Sequence, residues 1–159
     1  MNTGDVARSL HALFAELVDG AQDHGAYVLN RGDAGLLRSL ETLDAAAASR
    51  PNAAGSSIAA HVDHVRYGLS LLNRWAVGEN PWADADWSAS WRKTVVSDAE
   101  WKRLIGALRD EASAWAHVLA GPRDVNETEL SGMIGSIAHL AYHLGAIRQM
   151  NPSMRGPRA

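Results

Sequence analysis

The chain contains no cysteine among its 159 residues. This absence excludes disulfides, iron–sulfur clusters, zinc–thiolate sites and a cysteine nucleophile, and it is typical of a reducing compartment, so we expect a cytoplasmic protein. There is also no excess of basic residues, because 15 Lys and Arg stand against 18 Asp and Glu for a net charge of −3. Nucleic acid and anionic membrane surfaces are therefore not expected as partners.

Several structural signals are missing as well. No apolar run approaches the ~20 residues that a membrane-spanning helix needs, and Asp5, Arg8 and His11 near the start are unlike a signal peptide. No alternating apolar–polar stretch is long enough to predict a strand. No Gly-rich phosphate loop is found. These absences predict an all-α protein with no membrane segment.

Helical periodicity is present in four segments. Capping and stop signals mark several of their ends: Ser97 to Glu100 form a capping box, Gly121-Pro122 follows the third segment, and Asn151-Pro152 follows the fourth. We predict one domain over residues 1–151 and a flexible tail over 152–159. The predicted helices run from about Asp5 to Gln22, Ser57 to Ala76, Ser97 to Leu119 and Glu127 to Met150.

The connections between these helices differ in length. About 30 residues, with a short helical piece near Leu36 to Ala47, separate the first two helices, and about 20 separate the second and third. Long crossover connections occur in some four-helix bundles. The pattern therefore predicts a four-helix bundle with long crossover connections.

The fourth predicted helix carries His139 and His143. Residues four apart are about 40° apart around a helix, so both imidazoles lie on one face. Two ordinary polar-face histidines would give the same spacing. The apolar neighbours Ile137, Leu140 and Leu144 favour a buried helix, however, and buried imidazoles need partners. A metal ion would satisfy both rings.

The second predicted helix offers His61 and His64, about 60° apart on the same side. Spacing alone does not say which of them faces the fourth helix, and both could be surface residues. Gly68, one turn after His64, would leave room beside it. One ligand from this helix would complete a three-histidine site with open positions, which is typical of catalytic metal sites. The absence of H-E-x-x-H and Glu-x-x-His motifs argues against a zincin and a di-iron carboxylate site.

Tryptophan is concentrated in one region. Such a cluster predicts packing of the long connection against the bundle, because each ring buries a large area. An aromatic wall over a ligand pocket is the alternative, and one residue can serve both purposes. The five members are Trp75, Trp82, Trp87, Trp91 and Trp101.

Together these features resemble the DinB/YfiT-like superfamily of metalloenzyme-type bundles. The resemblance rests on the stretch from Ser57 through His64, the tryptophan-bearing connection, and H-x-x-x-H-x-G-x-I-R-Q beginning at His139. It implies a four-helix bundle with a divalent metal, such as zinc, nickel or iron, held by His64, His139 and His143. His61 would then be a pocket neighbour or an extra ligand.

The resemblance also implies a class of activity. Known activities of the superfamily are metal-dependent transfers of low-molecular-weight thiols, such as bacillithiol or mycothiol, and a mycothiol-dependent isomerisation. We therefore expect an enzyme that transfers a low-molecular-weight thiol to a small electrophilic substrate, or isomerises or hydrolyses that substrate, and possible pairing as a homodimer. The rival expectation is a non-catalytic, stress-related bundle that binds a metal or a small molecule.

Overall fold

The computed structural model describes residues 2–21 and 26–157, and every regular element in those ranges is helical. The fold is therefore all-α, as predicted. Three short 3-10 turns, at Pro81–Ala83, Ala89–Trp91 and Pro152–Met154, accompany the α-helices. The α-helices are α1 Thr3–Asp19, α2 Gly35–Glu41, α3 Ala45–Ala48, α4 Ile58–Ala76, α5 Asp98–Ala120 and α6 Glu127–Met150.

The four long helices are the four predicted from periodicity, and their first turns are capped by side chains. Ser57 accepts a hydrogen bond from the Ala60 backbone at the start of α4. Asn2, Ser97 and Asn126 form capping boxes on α1, α5 and α6. Each cap satisfies backbone donors that the first turn leaves unpaired, so the helix starts are fixed by local sequence.

The end of α1 differs from the prediction. The helix stops at Asp19 because Gly20 has a φ of 104°, a conformation that leaves the helical region. The backbone there approaches the next helix closely, since a Cβ on Gly20 would lie 2.3 Å from the carbonyl oxygen of Asp33. Gln22, the predicted end, lies outside the described residues.

The long helices enclose one apolar core. Their principal contacts run from α4 to α5, α5 to α1, α1 to α6 and α6 back to α4. Phe14, Leu108, Trp115, Leu140 and Ile147 are among the fully buried side chains at its centre. Each Å² of apolar surface removed from water stabilises the fold by about 25 cal/mol. Packing of this core can therefore hold the helices together.

A buried ion pair joins the end of α6 to the segment before α2. Arg148 Nη2 lies 2.6 Å from Asp33 Oδ1, and both side chains are largely buried. Farther on, Met154 is buried in the core and Asn30 donates to the carbonyl of Pro157. The predicted boundary of the domain at residue 151 stays a prediction.

One helix, contrary to expectation, meets the length and hydropathy criterion for a membrane-spanning helix. By length and composition α6 is apolar enough to cross a membrane, with a mean hydropathy of 1.2 over its most apolar window. This is weak evidence, because a core helix of a water-soluble protein passes the same test. Helix α6 also contributes Met133, Leu140 and Ile147 to the core.

Candidate metal centre

Helices α4 and α6 run in opposite directions and bring the predicted histidines together. His64 in the first half of α4 meets His139 in the middle of α6, while Trp75 at the end of α4 packs on Gly132 near the start of α6. His139 and His143 lie one turn apart and face α4 together. The pair and the α4 histidine therefore share one buried location between the two helices.

The three imidazoles converge through the same ring atom. His139 Nε2 lies 3.1 Å from His64 Nε2 and 3.0 Å from His143 Nε2. His64, His139 and His143 form a group whose potential ligand atoms all lie within 4.8 Å of one another. The predicted convergence of these three side chains is confirmed. That a metal ion binds them stays a prediction.

The separations of His139 Nε2 from the Nε2 atoms of His64 and His143 fit a single bound ion. With metal–nitrogen bonds of about 2.1 Å, separations of this size correspond to angles of roughly 90–95° at the metal. Such angles are nearer to those of an octahedral site than to the wider angles of a tetrahedral one. Three histidine ligands fill half of the positions of an octahedral site and leave the others open.

The tautomer of His64 is fixed by a serine from the long connection between α4 and α5. The hydroxyl of Ser90 donates to the Trp87 carbonyl at 2.8 Å, so its oxygen accepts from His64 Nδ1, 2.9 Å away. His64 therefore carries its proton on Nδ1 and presents a lone pair at Nε2. This is the outer hydrogen bond that metal-binding histidines commonly make.

His61 has the same effect on His143. The two Nδ1 atoms are 2.9 Å apart, so when His143 offers its Nε2 lone pair, its Nδ1–H donates to His61. His61 is absent from the convergent group of three. The two α4 histidines thus have different roles, which their spacing in the sequence did not reveal. His64 belongs to the group of three, and His61 orients His143.

Burial keeps these imidazoles neutral. Removal from water lowers the pKa of His64 to about 4, with smaller contributions from His139 and His61 that exceed the opposing effect of Asp63. Burial, then the neighbouring histidines, lowers the pKa of His143 to about 3. Burial also lowers the pKa of His61 and His139. Neutral imidazole is the form that binds a metal ion.

The donor set therefore fits a divalent cation. With the Nδ1 proton of His64 and, in this tautomer, that of His143 directed outward, the Nε2 lone pairs of both residues point at His139 Nε2, which has at most one proton to share between them. Buried lone pairs that face one another are unfavourable without a partner. A cation at their common focus would satisfy all three nitrogens at once.

The connection from 77 to 97 is held against α4 by a network around Asp86. Its backbone N–H donates to Tyr67 Oη at 2.9 Å, and its side chain accepts from Ser88 and Ala89. These bonds start the 3-10 turn that carries Ser90 and Trp91. Trp91 stacks on His64 with ring centroids 4.4 Å apart, so the connection covers one side of the candidate site.

An elongated cavity of about 350 Å³ adjoins the site. It runs between α4 and α6 from His139 towards Trp75 and Thr128. Trp75, Trp82 and Trp87 therefore face the cavity, as the alternative interpretation of the tryptophans required. Trp101 instead has a structural role, since it is buried and donates through Nε1 to the carbonyl of Leu43.

Sequence reasoning missed Ser90 and left two other residues without a role. Ser90 comes from a segment with no periodicity, and nothing local marks it as a partner of His64. Arg148, the arginine of the motif that begins at His139, pairs with Asp33. Tyr142 is largely exposed, and its ring meets that of His143 edge-on with centroids 5.1 Å apart.

Comparison with known proteins finds no matching family model, and no curated protein or solved structure that matches significantly. The resemblance to the DinB/YfiT-like superfamily therefore rests on the motifs alone and stays a prediction.

Proposed function

We propose that this protein is a divalent-metal-dependent enzyme of the DinB type that transfers a low-molecular-weight thiol to a small electrophilic molecule. The observation that carries the proposal is the convergence of the Nε2 atoms of His64, His139 and His143, with both outer hydrogen bonds in place. The ring of contacts among α1, α5, α4 and α6 supports the corresponding four-helix-bundle architecture.

The count and type of the ligands favour catalysis over a structural role. Structural zinc sites are usually closed by four protein ligands, whereas catalytic sites keep a position for water or substrate. A bound divalent cation would act as a Lewis acid and favour the deprotonated form of a thiol or water that it contacts. The chain supplies the orientation: Ser90 and His61 hold two of the three imidazoles in the required tautomer.

Two features of the residues support a thiol cosubstrate. The chain has no cysteine, so the sulfur must come from outside. Among the described residues lining the adjoining cavity there is no carboxylate to act as a general base towards water. A thiol needs less help than water, because its pKa is already close to neutral. In the transfer, the thiol proton passes to solvent, sulfur forms a bond to the electrophilic carbon, and the leaving group departs with its bonding pair.

The test is a conjugation assay on stripped and reconstituted protein. The electrophile is a chlorodinitroarene, and the thiols are glutathione, bacillithiol and mycothiol. We expect turnover with at least one thiol only when metal is restored, and none in His143→Ala. His117→Ala is the control, since His117 is exposed near the end of α5.

Three outcomes would contradict the proposal in different ways. Full turnover without metal would refute the role of the ion. Equal consumption of the electrophile without thiol would point to hydrolysis. Metal binding with no reaction of either kind would favour the rival function, a non-catalytic bundle that binds a metal or a small molecule.

A further inference from the structure

The cavity beside the metal centre has an unusual lining. None of its lining residues carries a carboxylate, ammonium or guanidinium group. Its polar side chains are Thr128, Ser136 and His139. The Ser136 hydroxyl is already engaged, since it donates to the Met133 carbonyl and accepts from Trp115 Nε1. A charged ligand would lose its hydration here without gaining a charged partner.

The walls of the cavity are flat. Trp82 and Trp87 are nearly parallel, with an interplanar angle of 14° and ring centroids 6.5 Å apart, and Trp75 lies across the end of this pair at 63° to Trp82. Gly68, Gly132 and Gly135 also line the cavity. A Cβ on Gly132 would lie 2.8 Å from Cζ3 of Trp75, so a larger residue there would displace that ring. Indole faces beside glycine backbone favour planar groups over globular ones.

The two ends of the cavity are polar. Thr128 and His139 are eleven residues apart on α6, a distance of roughly 16 Å at 1.5 Å per residue. The Cε1–Nδ1 edge of His139 faces the cavity wall at Gly68, where a Cβ would lie 3.6 and 3.9 Å from these two atoms. Among the hydrogen bonds of the described residues, none involves His139 Nδ1, in contrast to Nδ1 of His64 and His143.

From these observations we infer that the cavity binds an uncharged, planar aromatic molecule with a hydrogen-bond acceptor, such as a carbonyl oxygen, at the end nearest the histidines. The aromatic body lies against Trp82 and Trp87, and the acceptor receives the Nδ1–H that His139 carries when its Nε2 binds a metal ion. The assignment of this molecule as the electrophilic substrate rests on the proposed function. The binding site itself does not depend on that function.

The exposure of the tryptophans supports an occupant. Trp82 and Trp87 are 45 % and 41 % exposed although they are large and apolar. A planar ligand would cover these faces and add the favourable energy of aromatic stacking. The cavity volume lies within the range of about 300–1,000 Å³ that is usual for small-molecule sites.

The test is equilibrium dialysis of three probes against metal-free and zinc-loaded protein at pH 8. The first probe, a naphthyl methyl ketone, is planar and neutral. The second, naphthoate, is planar and anionic. The third, adamantyl methyl ketone, is globular and neutral. We expect the planar ketone to bind metal-free protein at least tenfold more tightly than either of the others. In zinc-loaded protein its carbonyl stretching band should move to lower wavenumber on binding, because it accepts the Nδ1–H of His139.

Variants locate the binding. Trp82→Ala should lower the affinity for the planar ketone at least tenfold. Trp82→Phe should recover part of the lost affinity. Tyr27→Ala is the matched control, because Tyr27 is an exposed aromatic residue distant from the cavity, and it should bind as the wild type does. Thermal melts followed by circular dichroism check that each variant is folded. Because Trp82 is half-exposed, its truncation should not unfold the protein.

The possible results separate this inference from the proposed function. Equal binding of all three probes, an unshifted carbonyl band, or unchanged affinity in folded Trp82→Ala would overturn the ligand assignment while leaving the metal site intact. Tight binding of the planar ketone to a protein that takes up no metal would support the cavity and refute the proposed function.

Discussion

Metal binding at pH 6.0 should release very few protons. Three unperturbed imidazoles, each with a pKa of about 6.5, would be mostly protonated at this pH and would together release about 2.3 protons on binding a cation. In the folded protein burial has already lowered the pKa of His64 to about 4 and that of His143 to about 3. Both are therefore neutral before the metal arrives.

The remaining proton count has an upper bound. His139 also has a lowered pKa, caused by burial, so it releases less than the roughly 0.8 proton of an unperturbed histidine at pH 6.0. Water on a bound zinc ion, with a pKa of about 7 or more, adds at most about 0.1 proton. We therefore expect fewer than one proton per metal ion from the three ligands and the bound water, and fewer than two in all when His61, whose pKa is also lowered by burial, is counted.

Isothermal titration calorimetry measures this number directly. Zinc is titrated into metal-free protein in two buffers of different ionisation enthalpy, and the difference in observed heat gives the number of protons released. His143→Ala serves as the control and should lose most of the binding heat. Release of two or more protons in the wild type would show that the imidazoles are solvated in the free protein. The buried, preorganised site would then be wrong.

Three further predictions concern the neighbours of the site and the stability of the fold. Ser90→Ala and His61→Ala should each weaken metal binding by about 10–100-fold, because each leaves one ligand without its outer hydrogen bond. His61→Gln keeps an acceptor and should lose less affinity. Metal affinities equal to that of the wild type in calorimetry would argue against the tautomer assignment. The unfolding free energy of metal-free protein should be highest above pH 6.5 and should fall as pH drops towards 4, by about 1.4 kcal/mol per pH unit for each proton that only the unfolded chain binds. Urea titrations at pH 7.5 and 5.0 check this, and a flat profile would contradict the lowered pKa of His64 and His143. Arg148→Ala should destabilise the fold by about 3–5 kcal/mol, because it leaves the buried carboxylate of Asp33 without its partner; a loss under 1 kcal/mol in the same assay would show that water reaches Asp33.

Local sequence predicted the helices because their signals are local. The caps at Ser57, Ser97 and Asn126 act within the first turn, and the apolar periodicity reports the buried face directly. The end of α1 was placed too late because its stop depends on the approach of Asp33 to Gly20, a contact between residues 13 positions apart. Periodicity contains no information on such contacts.

The site was predictable only in part for the same reason. The four-residue spacing of His139 and His143 guarantees a shared face, so the pair could be identified from the chain. The choice between His61 and His64 depends on the rotation of α4 relative to α6 and on the arrival of Ser90 from the long connection. Both are tertiary properties. The resemblance to a known family indicated His64, and the geometry now gives a physical reason for it.

The most direct test of the central claim is the metal-to-chain ratio. Protein purified without nickel resin is stripped with a chelator, incubated with excess zinc, nickel or iron(II), separated from free metal by gel filtration and measured by elemental mass spectrometry. The account predicts about one ion per chain for at least one of these metals, and almost none in His64→Ala or His143→Ala. A wild-type chain that retains no ion, or variants that retain as much as the wild type, would contradict it.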